Sequence, residues 1–296
     1  MKPIVLVLST GRCGTSFLTS ALQSLHGERL EAWHERLRVE ARSRYYFRRF
    51  DDASLDEMRA EPAFASMINS IRATAQTHPY LESGWTLHSF APLLLREFGD
   101  SVRLVFQVRH PFDVAASFAI KGVYRRERRN SLWDRHLFIT PEDNVIVRPD
   151  QWPHWSAFEK SLWRWAELVE YWDELCTMFP DSVYGVFTAE ALFTGSSSLR
   201  EYSDLLELPT PTESELVRCW EDGRTNATRD ELKYWFGLGT EWRSYFAHAR
   251  VATLAERFGY SSDPAVIRNK ARRYAKPLDL LRRTSRRIRQ VMGLGN

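Results

Sequence analysis

The run Ser9-Thr10-Gly11-Arg12-Cys13-Gly14-Thr15-Ser16-Phe17 sets two glycines, a cation and adjacent hydroxyls between a short apolar stretch, Val5 to Leu8, and an apolar-periodic one. Glycines permit backbone angles and a close approach that a side chain forbids. A helix beginning at Thr15 would offer N–H groups with no intrahelical partner, and Thr15, Ser16 and Arg12 add hydroxyl donors and charge. The chemistry of such a run is capture of an anion with several oxygens. Two residues rather than four separate the glycines, and no Lys precedes the hydroxyls, so this is not the lysine-bearing cradle of nucleoside triphosphatases. No Asp on a following apolar strand stands out as a magnesium holder.

A second constellation lies in Val102-Arg103-Leu104-Val105-Phe106-Gln107-Val108-Arg109-His110-Pro111-Phe112-Asp113, continuing to Ser117. A β-rich strand runs into a helix whose first turn carries Pro111 and Asp113, both favoured there. Arg109 then stands at the strand's C-terminal end, where ligands of open parallel sheets collect. Ser117, two turns into the helix, is placed to meet the same group.

At these two segments the chain resembles the sulfotransferase superfamily that uses 3′-phosphoadenosine-5′-phosphosulfate (PAPS) as donor. The resemblance implies that Gly11, Arg12, Cys13, Gly14, Thr15, Ser16 and Phe17 hold the 5′-phosphosulfate of PAPS. It also implies that Arg109 and Ser117 bind the 3′-phosphate, and that no metal is required. Arg12 stands where many eukaryotic members have Lys, as it does in bacterial members, so the charge role carries over and a lysine's proton-donating role does not. Some bacterial carbohydrate sulfotransferases carry a His-Glu pair just beyond the first helix, with the Glu as base. His34-Glu35 matches it, which makes Glu35 the candidate base, with His34 and Arg12 beside it as catalytic residues. Beside Trp33 and His34 its carboxylate could be tuned toward neutrality, as general-base work prefers. Tyr80 to His88 falls where many carbohydrate-acting members have an acidic residue followed by Lys. Here Ser83 replaces that Lys, leaving Glu82 and His88 as candidates to bind the acceptor, with a cap or packing role open for His88. Val183 to Leu192 is similar to a late "YEDL"-type turn, matching at Glu190 and Leu192 with Thr188 in the Tyr place. Gly237 to Arg243 is faintly similar to a late "KG..GDW" element.

The elements that must position these residues read as an α/β fold, a P-loop NTPase-like central parallel sheet flanked by helices, with helical insertions and a basic C-terminal helix. Strands are expected at Pro3–Leu8, Pro79–Glu82, Val102–Val108 and Val183–Thr188. Helices are expected at Thr15–Leu25, Leu55–Thr77 and Leu87–Phe98. From Trp155 to Phe179 apolar residues recur by threes and fours, a core-facing stripe that leaves Trp163 to its side, where it could serve a ligand or pack. Lys121 to Trp152 shows no sustained period and carries many arginines, so a lid over the donor pocket and a solvated charged loop both remain open.

At 296 residues, one α/β domain over 1–262 followed by a tail over 263–296 is expected, because both anion motifs must belong to one sheet. Three cysteines without C-x-x-C spacing point to a reducing cytosol and away from a zinc site. No apolar run approaches the roughly 20 residues of a membrane span, and the N-terminal run passes straight into the anion loop, unlike a signal peptide. The expected location is the cytoplasm. From Val266 to Asn296 ten Lys/Arg face one acid, Asp279, so the tail carries +9 of a net +3. Pro277, Leu278, Leu281, Ser285, Ile288 and Met292, flanked by Arg282, Arg283, Arg286, Arg287 and Arg289, have the pattern of a helix lying on anionic lipid, here the inner membrane surface, or of a solvated terminal helix. Nucleic-acid binding is disfavoured because aromatic interleaving is confined to Tyr274. The expected activity is sulfuryl transfer from PAPS to a hydroxyl of a carbohydrate or glycolipid. A P-loop kinase using ATP, and a non-catalytic nucleotide-binding or membrane-tethered protein, are the alternatives.

Overall fold

The apolar run at the N-terminus becomes β1 (Ile4–Ser9), a strand buried along its whole length. Ile4, Leu6 and Leu8 join one hydrophobic cluster, while Val5 and Val7 join another on the opposite face. Such a strand needs layers on both sides, which is the requirement a parallel sheet meets with crossover helices. The computed structural model describes residues 1–37, 40, 42–124, 136–195, 197–222 and 242–272. Its sheet is parallel throughout, in the order β2-β3-β1-β4-β5, with β2 (Glu31–His34), β3 (Tyr80–Gly84), β4 (Val102–Val108) and β5 (Val183–Thr188).

In chain order the helices are α1 (Thr15–His26), α2 (Asp52–Ala60), α3 (Pro62–Thr74), α4 (Ala91–Phe98), α5 (Pro111–Ile120), α6 (Ala157–Met178), α7 (Ala189–Thr194), α8 (Ser197–Leu205), α9 (Glu213–Asp222) and α10 (Ala249–Glu256). Phe17, Leu18 and Leu22 of α1 cover the Val5/Val7 face together with Leu199 and Tyr202 of α8 and Leu216 of α9. Residues of α4, α5 and α6 cover the other face. The longest, α6, opens on a capping box in which Ser156 and Glu159 satisfy each other's backbone N–H. No helix among the described residues is long and apolar enough to cross a membrane.

Two expectations need correction, and two open readings are resolved. The helix read over Leu55–Thr77 is two, because Pro62 has no N–H to donate and Glu61 before it is extended (φ −66°, ψ 130°). The helix read from Leu87 starts as a 3₁₀ turn at Thr86–Ser89 and becomes α4 only at Ala91. Of the two roles left open for Trp163, packing is the one it takes: it is buried, donates its Nε1–H to the Val147 carbonyl at 2.9 Å, and packs on Trp152. The stretch left open as a lid or a solvated charged loop sends residues 137–139 into the interior, while 140–152 stay half-buried or exposed. Leu137, Phe138 and Ile139 are buried, and Phe138 stacks on Trp85 with ring centroids 5.0 Å apart. β2 went unread, because four residues of mixed polarity leave no alternation to see.

The weak match at 237–241 and the basic tail from 273 onward lie outside the described residues. The tail's first part is described: residues 264–272 are helical, with Ile267 and Ala271 buried in the same cluster as Ile4 and Leu6.

Candidate functional site

From β1 the chain crosses over one face toward β3 and β2, and from β4 it crosses over the other toward β5. β1 and β4 are therefore adjacent strands whose outgoing connections part, leaving a crevice at their C-terminal ends. Residues 10–14 form one wall. Gly14 caps α1 in the left-handed conformation (φ 83°, ψ 13°) with no side-chain cap hydrogen bond. A Cβ on Gly14 would sit 2.5 Å from Cζ of the half-exposed Phe193, a ring with room to shift, so it is the left-handed backbone that calls for glycine here. Arg12 is also left-handed (φ 60°), an uncommon conformation for a residue with a side chain.

Arg109 directly follows β4 on the other wall, and the two walls are joined. Arg109 Nη1 donates to the Arg12 carbonyl at 3.0 Å, and Arg12 Nε donates to Ser117 Oγ at 2.8 Å. Thus Gly11, Arg12, Gly14, Arg109 and Ser117 converge, as the spacing of the two motifs requires. Cys13 contributes backbone only: it is fully buried, its thiol donates to the Gly11 carbonyl at 3.1 Å, and burial pushes its pKa up to about 12. Thr15 and Phe17 are also turned inward, while Ser16 is half-buried at the start of α1.

β2 brings the chain back to the same edge. At its end Glu35 takes a left-handed backbone (φ 51°) and donates its N–H to the Ser83 carbonyl at 2.9 Å. Its side chain lies on Gly84, where a Cβ would come within 2.6 Å of Glu35 Cγ. Glu35 Oε1 is 3.7 Å from His34 Nε2, and the two side chains are 15% and 24% exposed, so the pair is shielded yet reachable. His34 Nδ1 lies 3.2 Å from the Ser83 carbonyl and 3.4 Å from its hydroxyl, and that hydroxyl meets Thr19 Oγ1 of α1 at 2.6 Å. Ser83, standing where the related pattern has Lys, orients the histidine.

Glu82 and His88 are not brought to this surface. Glu82 is fully buried, accepting from the Arg36 N–H at 2.9 Å and the Tyr80 hydroxyl at 2.7 Å. Burial outweighs these bonds and raises its pKa to about 7. Side chains alternate along β3, so Glu82 points to the opposite face from Ser83. His88 packs between Phe106 and Tyr171, with Nε2 2.8 Å from the Ser9 carbonyl, and burial lowers its pKa to about 3.

Three contributors escaped sequence reading. Arg164 of α6 is buried beneath the loop, donating to the Thr10 carbonyl at 3.0 Å, with its guanidinium 4.7 Å from the Trp85 ring centroid. Burial lowers its pKa to about 10, which still leaves a cation under the anion turn at neutral pH. Phe193 of α7 lies over Gly14 and is 50% exposed. Lys121, ending α5 one turn past Ser117, has its pKa lowered first by the Arg12 charge and then by desolvation, with Glu35 acting in the opposite sense. Arg12, Lys121 and Glu35 therefore share one electrostatic neighbourhood. Neither Arg164 nor Phe193 stands out from its helix's own pattern. A basic residue four after Ser117 was the one available signal.

No protein-family model and no curated protein matches the chain. Among solved structures it is similar to the sulfotransferase domain of the Synechococcus PCC 7002 olefin synthase, with a TM-score of 0.51 and 17% identity over 88% of this chain and 96% of that one. A sulfotransferase from Alicyclobacillus acidocaldarius (TM-score 0.45, 16% identity, 90% and 99% covered) and mouse SULT7A1 complexed with PAP (TM-score 0.41, 15% identity, 93% and 89% covered) also match. The first of these likenesses shows that the chain has the fold of a sulfotransferase domain.

Proposed function

We propose that this protein is a sulfotransferase that moves a sulfuryl group from PAPS to a hydroxyl of a carbohydrate or glycolipid. The observation that carries the reading is the join between its two anion walls, Arg109 to the Arg12 carbonyl and Arg12 to Ser117, with a shielded carboxylate at the same sheet edge. A donor with phosphates at both its 5′ and 3′ positions needs two such walls. The fit is supported by the left-handed Gly14 cap, which turns the chain into α1 so that its first-turn N–H groups lie at the crevice.

Sulfuryl transfer joins the acceptor oxygen to sulfur and breaks the sulfur–oxygen bond to the 5′-phosphate, which keeps the electron pair. Arg12 and the loop N–H groups stabilise that growing negative charge, and the buried Arg164 reinforces the field from below. Arg109 and Ser117 hold the 3′-phosphate. Glu35 takes the proton of the acceptor hydroxyl on its carboxylate, and His34, oriented by Ser83, steadies Glu35 and the charge it carries. The backbone strain at Glu35 and Arg12 fits residues held in place for function. In the same reading the basic stretch 273–296 brings the enzyme to an anionic membrane surface where a glycolipid would be found.

The test is calorimetric titration with 3′-phosphoadenosine-5′-phosphate (PAP), ADP and ATP, for the native chain and for Arg109→Ala. Preference for PAP, lost in Arg109→Ala, is expected, and transfer of labelled sulfate to candidate acceptors then follows. A preference for ATP would turn the reading to a kinase. PAP affinity with no transfer to any acceptor would leave a nucleotide-binding module.

A further inference from the structure

The segment that follows α10 grips the chain on either side of Arg109. The Tyr260 hydroxyl donates to Glu190 Oε2 at 2.8 Å and lies 3.3 Å from the carbonyl of Val108. Ser261 places its carbonyl 3.4 Å from His110 Nε2. Lys270 reaches the first turn of α5 and donates to Asp113 Oδ2 at 2.6 Å, with side-chain exposures of 17% and 12%. Val108, His110 and Asp113 are the near neighbours of Arg109 in the chain.

Asp113 suits the positive end of α5, but it is a carboxylate beside a surface assigned to an anion. Burial would raise its pKa, yet the charges of Lys270 and then Arg109 outweigh burial and hold it below the usual carboxylate range. Asp113 is therefore ionised at neutral pH and electrostatically coupled to Arg109. Arg109 and Arg12 are matched by Asp113 and by Glu190, whose Oε1 accepts from the His110 N–H at 3.3 Å, so these four sum to zero charge and a phosphate arriving there would find little net attraction. Lys270 restores the positive sign.

We propose that Lys270 is a positioning residue of the donor site, pairing with Asp113 so that Arg109 meets the incoming phosphate in a net-positive environment. The identity of that phosphate, the 3′-phosphate of PAPS, rests on the function proposed above. The electrostatic role of Lys270 does not. It makes the start of the basic C-terminal segment part of the donor site.

The experiment is calorimetric titration of the full chain, and of Lys270→Gln, Lys270→Arg, Asp113→Asn and the double variant Asp113→Asn/Lys270→Gln, with PAP and with 5′-AMP, which lacks the 3′-phosphate. Lys270→Gln is expected to weaken PAP binding about tenfold, the size of one partly screened charge, with 5′-AMP affinity unchanged. Lys270→Arg should retain native affinity, and the double variant should recover it. Equal loss for PAP and 5′-AMP, no loss for either, or failure of the double variant to recover would each overturn the inference. If the native chain binds no nucleotide, the proposed donor fails on its own, and inorganic phosphate becomes the probe, with the same loss and recovery expected. Absence of phosphate binding as well would overturn both.

Discussion

Glu35 owes its position to a side chain that is missing one strand away, since Gly84 leaves the space its Cγ occupies. Glu35→Gln keeps the shape and removes the base proposed above, so in that reading transfer should fall about 100-fold or more while PAP affinity holds. Unchanged turnover in a labelled-sulfate assay would move the base elsewhere. Glu82 supplies a different kind of test. Its folded pKa of about 7 lies above the ordinary 4.5, so the folded chain binds a proton there that the unfolded chain releases. Its contribution to stability is fully present below pH 4.5 and is lost as pH rises through 7. Glu82→Gln should therefore flatten the fall of Tm with pH across that window, by roughly 5 °C, in calorimetric melts. An unchanged profile would mean that the carboxyl is not protonated in the fold.

At the scale of elements, α6 gathers its neighbours around one buried carboxylate. Glu167 is fully buried, accepting from Arg48 at 2.6 Å, from Arg250 at 2.7 Å, and from the N–H groups of Ile146 and Val147 at 2.9 and 3.1 Å. Glu167→Gln removes the charge that Arg48 and Arg250 share, although Glu174 and Glu170 still pair with them, and should cost about 1–3 kcal/mol, read as a lower Tm. A shift within about 0.5 °C, against the roughly 1.5–2 °C per kcal/mol of a chain this size, would show the cluster to be loosely coupled. The elements nearest the anion loop were the most legible from sequence, and for a physical reason. β1 and β4 are buried on both faces and read as unbroken apolar runs, and α1 and α5 follow turns whose glycine and proline have few other uses. Glu35 and His34 were legible only through a resemblance, because β2 is short and half-exposed. The misreadings came where burial overrode polarity. Glu82 looks like a ligand-binding residue in a string of letters and is an interior group with protein partners, while His88 takes the packing role left open for it. The converse held at Arg164, a cation on a core helix that only packing reveals.

Across the whole molecule, charge is divided between a globular unit of formal charge −6 and a C-terminal stretch of +9. If that stretch serves a membrane surface, the chain should sediment with phosphatidylserine-rich vesicles and not with phosphatidylcholine alone. Changing Arg282, Arg283, Arg286 and Arg287 together to Glu should abolish sedimentation and leave PAP affinity intact. Binding to both vesicle types would deny an electrostatic cause. The sheet order carries a consequence in time as well. β1 is flanked by β3 and β4, so Ile4 pairs with Tyr80 on one side and Val102 on the other. Parallel neighbours so far apart in sequence form slowly, because long loops must close first. During synthesis at about 5–20 residues per second, the first strand waits many seconds for both partners. Residues 9 to 17 leave the ribosome well before Arg109, so the anion turn stands without the contact that ties it to the facing wall until that residue has followed.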